Sequence, residues 1–375
     1  MRFDNSILVK DNILSLTYGL SIFLIFFTTK AWLRIVDIDL INVFYLSVFA
    51  NLCISLILYK FFRARDSAIF ISFVSILFLA TTYLSGYNEF GIYKLSSVLL
   101  MLFGISLMKI TIPSSNFLET LKIIAIVLFF YGCLGIISKL LLDGNLFLRE
   151  RILLNGPIVF AQYMSISAVI FIVGYKDIFR GVATVFFTLL TFSKGPILSL
   201  AIILWLAARK KIVFLLSIVL TLFVLYFFQI GGRYYDFIEA VVYLFINFDS
   251  SIFFNDRNIG SVGVRIVEYG SAIQLIADNF ITGIGVGNWQ LNSPRSLQYP
   301  HNSILEIFVE MGVVISTAMI ILFFWFVLKF KDSLTLLLFL LFFLFSMFSG
   351  SIVDNRGIFF VVLLYFLHFE INPAP

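Results

Sequence analysis

The stretch "YPHNSILEIFVEMGVV", residues 299–314, begins beside one of only two histidines in the chain and continues into a long apolar segment. Pro300 disfavours helix at the residue before it, so a helix is expected to begin just after His301. A bilayer-spanning helix needs about 20 apolar residues, and residues 303–328 supply them. The stretch therefore predicts a membrane helix that carries two acidic side chains, Glu306 and Glu310.

The composition of the whole chain indicates the same class of protein. Of its 375 residues, 61% are hydrophobic and only 13% are charged, which is more apolar surface than a water-soluble domain can bury. Its two cysteines, Cys53 and Cys133, lie inside apolar runs and indicate neither a disulfide framework nor a metal site. The sequence therefore predicts a polytopic membrane protein.

Apolar runs recur along the chain and predict an all-α membrane helical bundle of about 12 transmembrane helices in one domain, residues 1–375. The stretch 181–208 is bracketed by basic residues and interrupted by "TFSKGP", so it is expected to cross and return with residues 193–196 at the turn. Its arms are short, which predicts a pair of tilted or partial helices. The predicted spans are 13–29, 40–59, 67–84, 95–109, 121–141, 157–174, 181–192, 195–208, 212–230, 303–328, 333–348 and 357–369.

The distribution of Lys and Arg orients these spans. When the N-terminus is placed in the cytoplasm, most basic residues flank the inner ends of the spans, as the positive-inside rule requires. Both termini are then cytoplasmic, and residues 231–302 form one large external loop. The net charge of +5 comes mostly from basic residues beside spans and does not indicate binding to nucleic acid. Because ATP is absent outside the cell and the chain has no P-loop, a synthetic reaction there needs an activated donor.

The external loop has internal patterns that predict structure. In "RIVEYGSAIQLIADN", residues 265–279, apolar side chains recur at helical spacing, while Arg265, Glu268 and Ser271 lie off that stripe. This predicts an amphipathic helix on the outer surface, and "YYDFIEAVVYLFINF" is apolar enough to enter the membrane interface. The stripe consists of Ile266, Tyr269, Ile273 and Ile276.

The glycines of "GIGVGN", residues 283–288, follow a G-x-G-x-G pattern. A dinucleotide fingerprint needs a surrounding βαβ unit, and none is predicted here. We therefore interpret the segment as a loop that re-enters the bundle, where glycines allow close approach of the backbone.

The opening stretch places His301 at the outer membrane surface, just before the helix begins. Asn302 or Ser303 can cap the helix, and Asn302, Glu306 and Glu310 follow at i, i+4 and i+8 on one face. Charged groups within a span indicate function, although polar side chains also serve as packing contacts between helices. His301 is a candidate general base or an ordinary interfacial histidine.

Several of these segments together resemble a known family. Arg265, "NFITGIGVGNW" and "PHNSILEIFVEMG" are similar in order and content to the O-antigen ligase and O-antigen polymerase superfamily. Its members carry an Arg-containing segment, a G-x-G-x-G turn and an H-N-x-x-L…E-x-G motif around one large periplasmic loop. "TFSKGP" resembles the family's Ser-Arg-Gly turn, with Lys194 where Arg is usual. The resemblance covers roughly residues 180–315, and the remainder matches only as a hydrophobic helical bundle.

The resemblance implies a multi-pass glycosyltransferase of the bacterial cytoplasmic (inner) membrane, with its active site facing the periplasm or cell exterior. Its expected partners are a polyprenyl-diphosphate-linked oligosaccharide donor, a glycan acceptor and membrane lipids, with a chain-length regulator protein as a further one. No cofactor and no nucleic acid are implied. The glycosyl diphosphate bond supplies the activation that the absence of ATP requires.

The resemblance also implies roles for individual residues. His301 accepts the proton of an acceptor hydroxyl, Arg265 stabilises the departing diphosphate, and Glu306 orients or charges His301; these are the expected catalytic residues. Arg265 also has a plainer interpretation as an interfacial charge, and Lys194 as a positive cap on a turn. The candidates for substrate binding are Lys194, Asn302, Glu310 and Arg295.

None of these roles needs a metal, so a metal-independent enzyme is expected. "VDIDL" places Asp37 and Asp39 in the first outer loop, where acidic residues could instead hold a divalent ion. Two carboxylates alone rarely complete such a site, and Asp39 has an alternative role as a helix cap.

Three functions compete. A polymerase that joins lipid-linked repeat units is favoured, because nothing in the sequence marks a lipid A core acceptor. The alternative enzyme is an O-antigen ligase, which transfers the glycan to lipid A core. A lipid-linked oligosaccharide flippase is the non-enzymatic alternative, but a transporter needs polar residues through the bundle, whereas here they cluster outside.

Overall fold

The structure is a computed structural model, and it describes a bundle of helices. The only strands among the described residues are β1 (Ala31–Trp32) and β2 (Asp37–Ile38), which pair antiparallel. Apart from this short pair, the elements of the described residues are helices, which confirms the all-α prediction at the level of fold class. The described residues are 31–32, 37–38, 91–92, 94, 117–143, 156–208, 211–212, 238–239, 242–243, 260–293, 299–328 and 333–348.

The longer helical elements follow in chain order, and residues 91–92 and 94 are also helical. A short π-helix, Ile170–Tyr175, continues the second of them. The helices are α1 (Phe117–Asp143), α2 (Pro157–Val169), α3 (Ile178–Leu189), α4 (Lys194–Ala207), α5 (Gly260–Asp278), α6 (Trp289–Asn292), α7 (Ser303–Val327) and α8 (Ser333–Phe348).

Three helical segments within the described residues are long and apolar enough to cross a membrane: Leu121–Leu141, Pro157–Tyr175 and Ser303–Ile321. They coincide with three predicted spans, and α8 has the predicted bounds 333–348. The predicted spans 13–29, 40–59, 67–84, 95–109 and 357–369, and nearly all of 212–230, lie outside the described residues. The predicted total of about 12 spans therefore stays a prediction.

Helices α3 and α4 form the predicted pair of short arms. They contain 12 and 14 residues, about 18 and 21 Å at the α-helical rise, which is less than the roughly 30 Å hydrocarbon core. The predicted turn is displaced: it comprises residues 190–193, and Phe192 has a left-handed φ of 54°. Lys194 already begins α4, because Pro196 in a first helical turn interrupts no intrahelical hydrogen bond.

Helices α1, α2 and α3 pack tightly on one another. At Gly132 of α1, an added Cβ would lie 2.6 Å from Met164 Sδ and 2.7 Å from the Phe187 ring, so a larger residue would require these side chains to move. The opposite side of α1 exposes large apolar residues such as Phe130 and Leu141. A helix that is apolar on both sides is typical of a membrane span.

Helix α5 confirms the helix predicted at residues 265–279. Ile266 and Ile273, from the predicted apolar stripe, are exposed by 45% and 62%, whereas Glu268 and Ala272 are fully buried. The prediction named this stripe without stating which side of the helix packs on the protein. Helix α5 packs on α7, and Ile276 of the stripe lies in one cluster with Ala272 and Val309. The exposed part of the stripe is favourable wherever the surroundings are lipid.

Candidate functional site

The start of α7 holds the predicted base. Asn302 Oδ1 accepts hydrogen bonds from the backbone N–H groups of Ile304 and Leu305 at 3.0 and 3.1 Å, so Asn302 is the N-cap. His301 precedes the cap with a left-handed φ of 57°. Its ring lies edge-on against the Tyr299 ring, with 4.8 Å between centroids, and the side chain is half-buried. The backbone thus fixes the histidine directly beside the helix terminus.

Helix α7 is interrupted at Gly312, whose φ of 72° and ψ of 170° are not helical. The G-x-G-x-G turn binds at this interruption: Ile284 N donates to Val309 O at 2.8 Å, and Gly285 N donates to Glu310 O at 3.0 Å. In an unbroken helix those carbonyls would accept from residues four positions later. The turn therefore supplies hydrogen bonds that the kink removes, and it joins the loop to α7 through main-chain atoms.

Two glycines make this contact possible. A Cβ on Gly283 would lie 2.5 Å from Gly312 N and 2.6 Å from Glu310 O, and a Cβ on Gly312 would overlap Ile281 O. Both residues also have positive φ, which L side chains adopt at a cost. The prediction that the glycines of "GIGVGN" allow close approach of the backbone is confirmed. The same contact explains why glycine, Gly312, follows Glu310 in the E-x-G motif.

Hydrogen bonds on the far side of the kink complete the junction. Val313 N donates to Phe280 O at 2.8 Å. The Ser316 hydroxyl lies 2.6 Å from Gly312 O and 2.9 Å from Ile307 O. Buried main-chain groups rarely stay unpaired, and here the loop and a serine pair those of the interrupted segment.

Helix α5 brings Arg265 and Tyr269 towards the start of α7. Tyr269 hydrogen-bonds the Asn302 side chain and lies within electrostatic range of Arg265. Burial raises the pKa of the Tyr269 phenol, and the Arg265 charge and the Asn302 hydrogen bond oppose that shift. Two residues predicted for the site, Arg265 and Asn302, are therefore linked through one tyrosine, and His301 adjoins Asn302 in the chain.

The loop also contains buried polar groups that sequence reasoning did not assign to the site. Glu268 Oε2 accepts a hydrogen bond from Ser293 Oγ at 3.0 Å. Within the described part of the chain, Glu268 Oε1, Arg265 Nε and Trp289 Nε1 are buried without a hydrogen-bond partner. Unpaired buried polar atoms are costly in a folded protein, and their concentration between α5 and α6 distinguishes this region chemically.

The most unexpected contact involves Lys94. Its Nζ donates to Glu306 Oε1 at 2.5 Å and to Glu310 Oε1 at 2.6 Å, and all three side chains are buried. The two carboxylates do lie on one helix face, as their spacing predicts. Their partner comes from a distant segment, and the only sequence signal was a lysine beside a predicted span. This contact favours the packing alternative for Glu306 and Glu310.

The structure describes fewer contacts for the remaining residues that the sequence predicted for the site. Lys194 begins α4, and its amino nitrogen is buried; its association with Arg265 stays a prediction. Arg295 lies outside the described residues, as do Asp39 and the Asp37 side chain. Among the residues that the structure describes, no group of three or more His, Cys, Asp and Glu side chains is arranged to hold a metal ion.

Comparison with known families identifies a match to the part of the chain that contains these motifs. Residues 179–315 match the family model described as O-Antigen ligase, which confirms the resemblance to the O-antigen ligase and polymerase superfamily. Members of that family are glycosyltransferase-like enzymes, and together with the apolar helices the match indicates an integral inner-membrane protein. A comparison with curated proteins finds no match. The matched range contains α5, the glycine turn and the start of α7.

Proposed function

We propose that the protein is a membrane glycosyltransferase that polymerises polyprenyl-diphosphate-linked oligosaccharide repeat units on the external face of the cytoplasmic membrane. The product is a surface polysaccharide of the O-antigen kind. The observation that carries this proposal is the junction between α5 and α7, which brings Arg265, Tyr269 and Asn302 together beside His301. A cation that can bind diphosphate and a base that can accept a proton are then both part of this junction.

In the proposed reaction His301 accepts the proton of an acceptor sugar hydroxyl. The oxygen forms a new bond with the donor's anomeric carbon as the bond from that carbon to the diphosphate oxygen breaks. The polyprenyl diphosphate leaves with the electron pair of the broken bond. General base catalysis of this kind contributes about 10²–10⁴-fold. The His301 ring is half-buried against Tyr299. This supports its role as the base, because it limits the orientations of the imidazole.

Arg265 stabilises the charge that develops on the departing diphosphate. Guanidinium groups bind phosphate oxygens in a bidentate geometry. The buried Nε of Arg265 has no hydrogen-bond partner within the described residues, so this donor is not used by another described protein group. Tyr269, one turn further along α5, limits where the guanidinium lies.

The other candidates have supporting roles in this proposal. Lys194 and Arg295 add positive charge for the diphosphate or for an anionic glycan. Asn302 holds the helix terminus beside His301 through its hydrogen bonds. Glu306 remains a candidate for orienting His301, and the Lys94 contact gives a route by which it acts from within the helix.

A single assay separates the competing functions. Purified protein in lipid nanodiscs is incubated with one synthetic lipid-linked repeat unit and no other acceptor. We expect a ladder of longer lipid-linked products. The matched family is described as O-Antigen ligase, so a ligase is the second candidate, and it predicts product only when lipid A core is added. Transfer of intact substrate across a sealed liposome would instead identify a transporter.

The role of metal is tested in the same assay. Because the proposed reacting groups are His301 and Arg265, product formation is expected to continue in excess chelator. Loss of activity on chelation, its return with a divalent ion and its disappearance in Asp37→Ala would move the mechanism to the aspartate-dependent alternative.

The orientation of the site is tested by labelling. Single cysteines are introduced at Ser193 and Ser261 in a protein from which Cys53 and Cys133 have been removed. Both positions are expected to react with a membrane-impermeant thiol reagent in spheroplasts, since the turn before α4 and the loop 231–302 are proposed to share the external side. Labelling of the residue 261 cysteine only after permeabilisation contradicts this orientation.

A further inference from the structure

The contact between Lys94 and α7 joins two distant parts of the chain. Lys94 is 212 positions from Glu306 and 216 from Glu310. The fractional exposure of the lysine is 2% and that of each carboxylate is 0%. We call these three side chains the buried triad. It ties the helical residues around position 94 to the first two turns of α7.

Stability alone is a weak explanation for the buried triad. Removing an ammonium and two carboxylates from water carries a large desolvation penalty, and replacing buried ion pairs by apolar residues of similar volume is often neutral or stabilising. The best-attested benefit of such groups is to specify one arrangement among several packed alternatives. Glu310 Oε2 is buried without a partner within the described residues, which also indicates that stability is not optimised here.

The position of the buried triad determines which arrangement it would specify. Glu306 and Glu310 are one helical turn apart on the same face, so two bonds to one ammonium oppose both rotation and sliding of α7. A one-residue change in register would rotate the carboxylates by about 100°. His301 immediately precedes the Asn302 cap of the same helix, so the same movement would displace the imidazole.

We propose that Lys94 is a positioning residue, which fixes the rotation and register of the start of α7 through Glu306 and Glu310 and thereby places His301 for proton transfer. This inference rests on the proposed function, because it assigns a purpose to the position of His301. The glycine turn holds α7 further along the helix at Gly312. The buried triad acts nearer to His301, between that junction and the cap.

The test compares wild-type protein with Lys94→Met and with the triple variant Lys94→Met/Glu306→Met/Glu310→Met. The single variant leaves two buried carboxylates without their cation and is expected to be less stable. The triple variant removes all three charged groups at similar volume, so it is expected to fold. The measurements are the thermal midpoint, kcat and KM for the lipid-linked donor, and amide hydrogen exchange across residues 299–306.

The two explanations predict different behaviour in the triple variant. If the buried triad positions α7, the thermal midpoint equals or exceeds that of wild type, but kcat falls about 10²-fold with little change in KM. Exchange at the capped amides of Ile304 and Leu305 is then faster than in wild type. If the buried triad only stabilises the fold, the triple variant recovers wild-type kcat and exchange together with stability, and the inference is overturned.

Ser167→Ala is the matched control. The Ser167 hydroxyl is buried and donates to Ala125 O between α1 and α2 at 2.9 Å, away from α7. We expect this variant to lower the thermal midpoint without changing kcat or the exchange of residues 299–306. If wild-type protein transfers no sugar, the proposed function fails, and hydrogen exchange alone then decides the positioning claim. Faster exchange in a stable triple variant supports it, and wild-type exchange overturns it.

Discussion

Helices α1–α4 and the segment α5–α7 use polar groups differently. In α2–α4 several buried hydroxyls bond to carbonyls of their own helix: Ser165 to Ala161 at 2.8 Å and Thr188 to Thr184 at 2.9 Å. In α5–α7 several polar contacts join separate elements, as in the glycine turn and the Glu268–Ser293 bond, although Ser316 bonds within α7. Other buried polar atoms of this region have no partner within the described residues. The first region therefore packs mainly as a scaffold, with Ser167 joining α2 to α1 as an exception, and the second contains the proposed site.

This difference has a physical basis. A hydroxyl that bonds to its own helix is satisfied wherever the helix goes, so the helix can pack through apolar contact alone. A bond between elements is satisfied only in one relative position, so it specifies geometry. The variants below test whether the two regions respond to substitution as this contrast requires, beginning with the largest expected effect.

Gly312→Ala is expected to have the largest effect. Its Cβ would overlap Ile281 O, and the backbone at this position is unfavourable for alanine. We expect the free energy of unfolding to fall by about 4 kcal/mol and turnover to fall by at least about 10²-fold. Gly270→Ala in α5 is the control, because nothing lies within 4 Å of its added Cβ. Equal behaviour of the two variants would contradict the proposed junction.

Arg265→Ala is expected to lower kcat/KM by about 10²–10³-fold, the range found when one charge-stabilising donor is removed. Binding of the donor should weaken as well, because the guanidinium contacts the diphosphate before and during its departure. Arg180→Ala is the control from the scaffold, where that arginine pairs with Asp177 at 2.9 Å and is partly exposed. Matching losses in both variants would show a general effect of removing positive charge.

Ser293→Ala and Thr188→Val compare the two kinds of hydroxyl directly. Ser293→Ala removes the hydroxyl that donates to the buried Glu268, and we expect the free energy of unfolding to fall by about 2 kcal/mol. Thr188→Val removes a hydroxyl that bonds only to its own helix, so the expected change is within about 0.5 kcal/mol. Chemical unfolding in mixed micelles measures both. A larger loss in Thr188→Val would remove the distinction between the regions.

The sequence predicted the elements of both regions better than it predicted their contacts. The bounds of α8 were correct because an apolar run between polar residues leaves one placement in a membrane. Asn302 was a predictable cap, since its chemistry acts on neighbouring residues. By contrast, no local pattern links Lys94 to Glu306, because a lysine beside a span is equally typical of a side chain at the membrane interface.

The buried face of α5 shows a second limit of periodicity. The spacing identified the apolar stripe through Ile266 and Ile273, but spacing does not state what lies outside the helix. Next to water an apolar stripe turns inward, whereas next to lipid it is stable facing outward. In the structure Glu268 is buried and Ile273 is exposed, whereas Ile276 of the same stripe packs inward. The turn before α4 was displaced for a related reason, since proline is compatible with a first helical turn.

The central claim is that α5 and the start of α7 form a glycosyl-transfer site in which His301 is the base. The most direct measurement is the single-turnover rate of His301→Ala with a synthetic lipid-linked repeat unit, beside His368→Ala as the control for the chain's other histidine. We predict that His301→Ala stays folded, binds the donor normally and reacts about 10²–10⁴-fold more slowly, while His368→Ala reacts at the wild-type rate. A near-normal rate in His301→Ala would contradict the claim and transfer the search for the base to Glu306, Glu310 or the substrate.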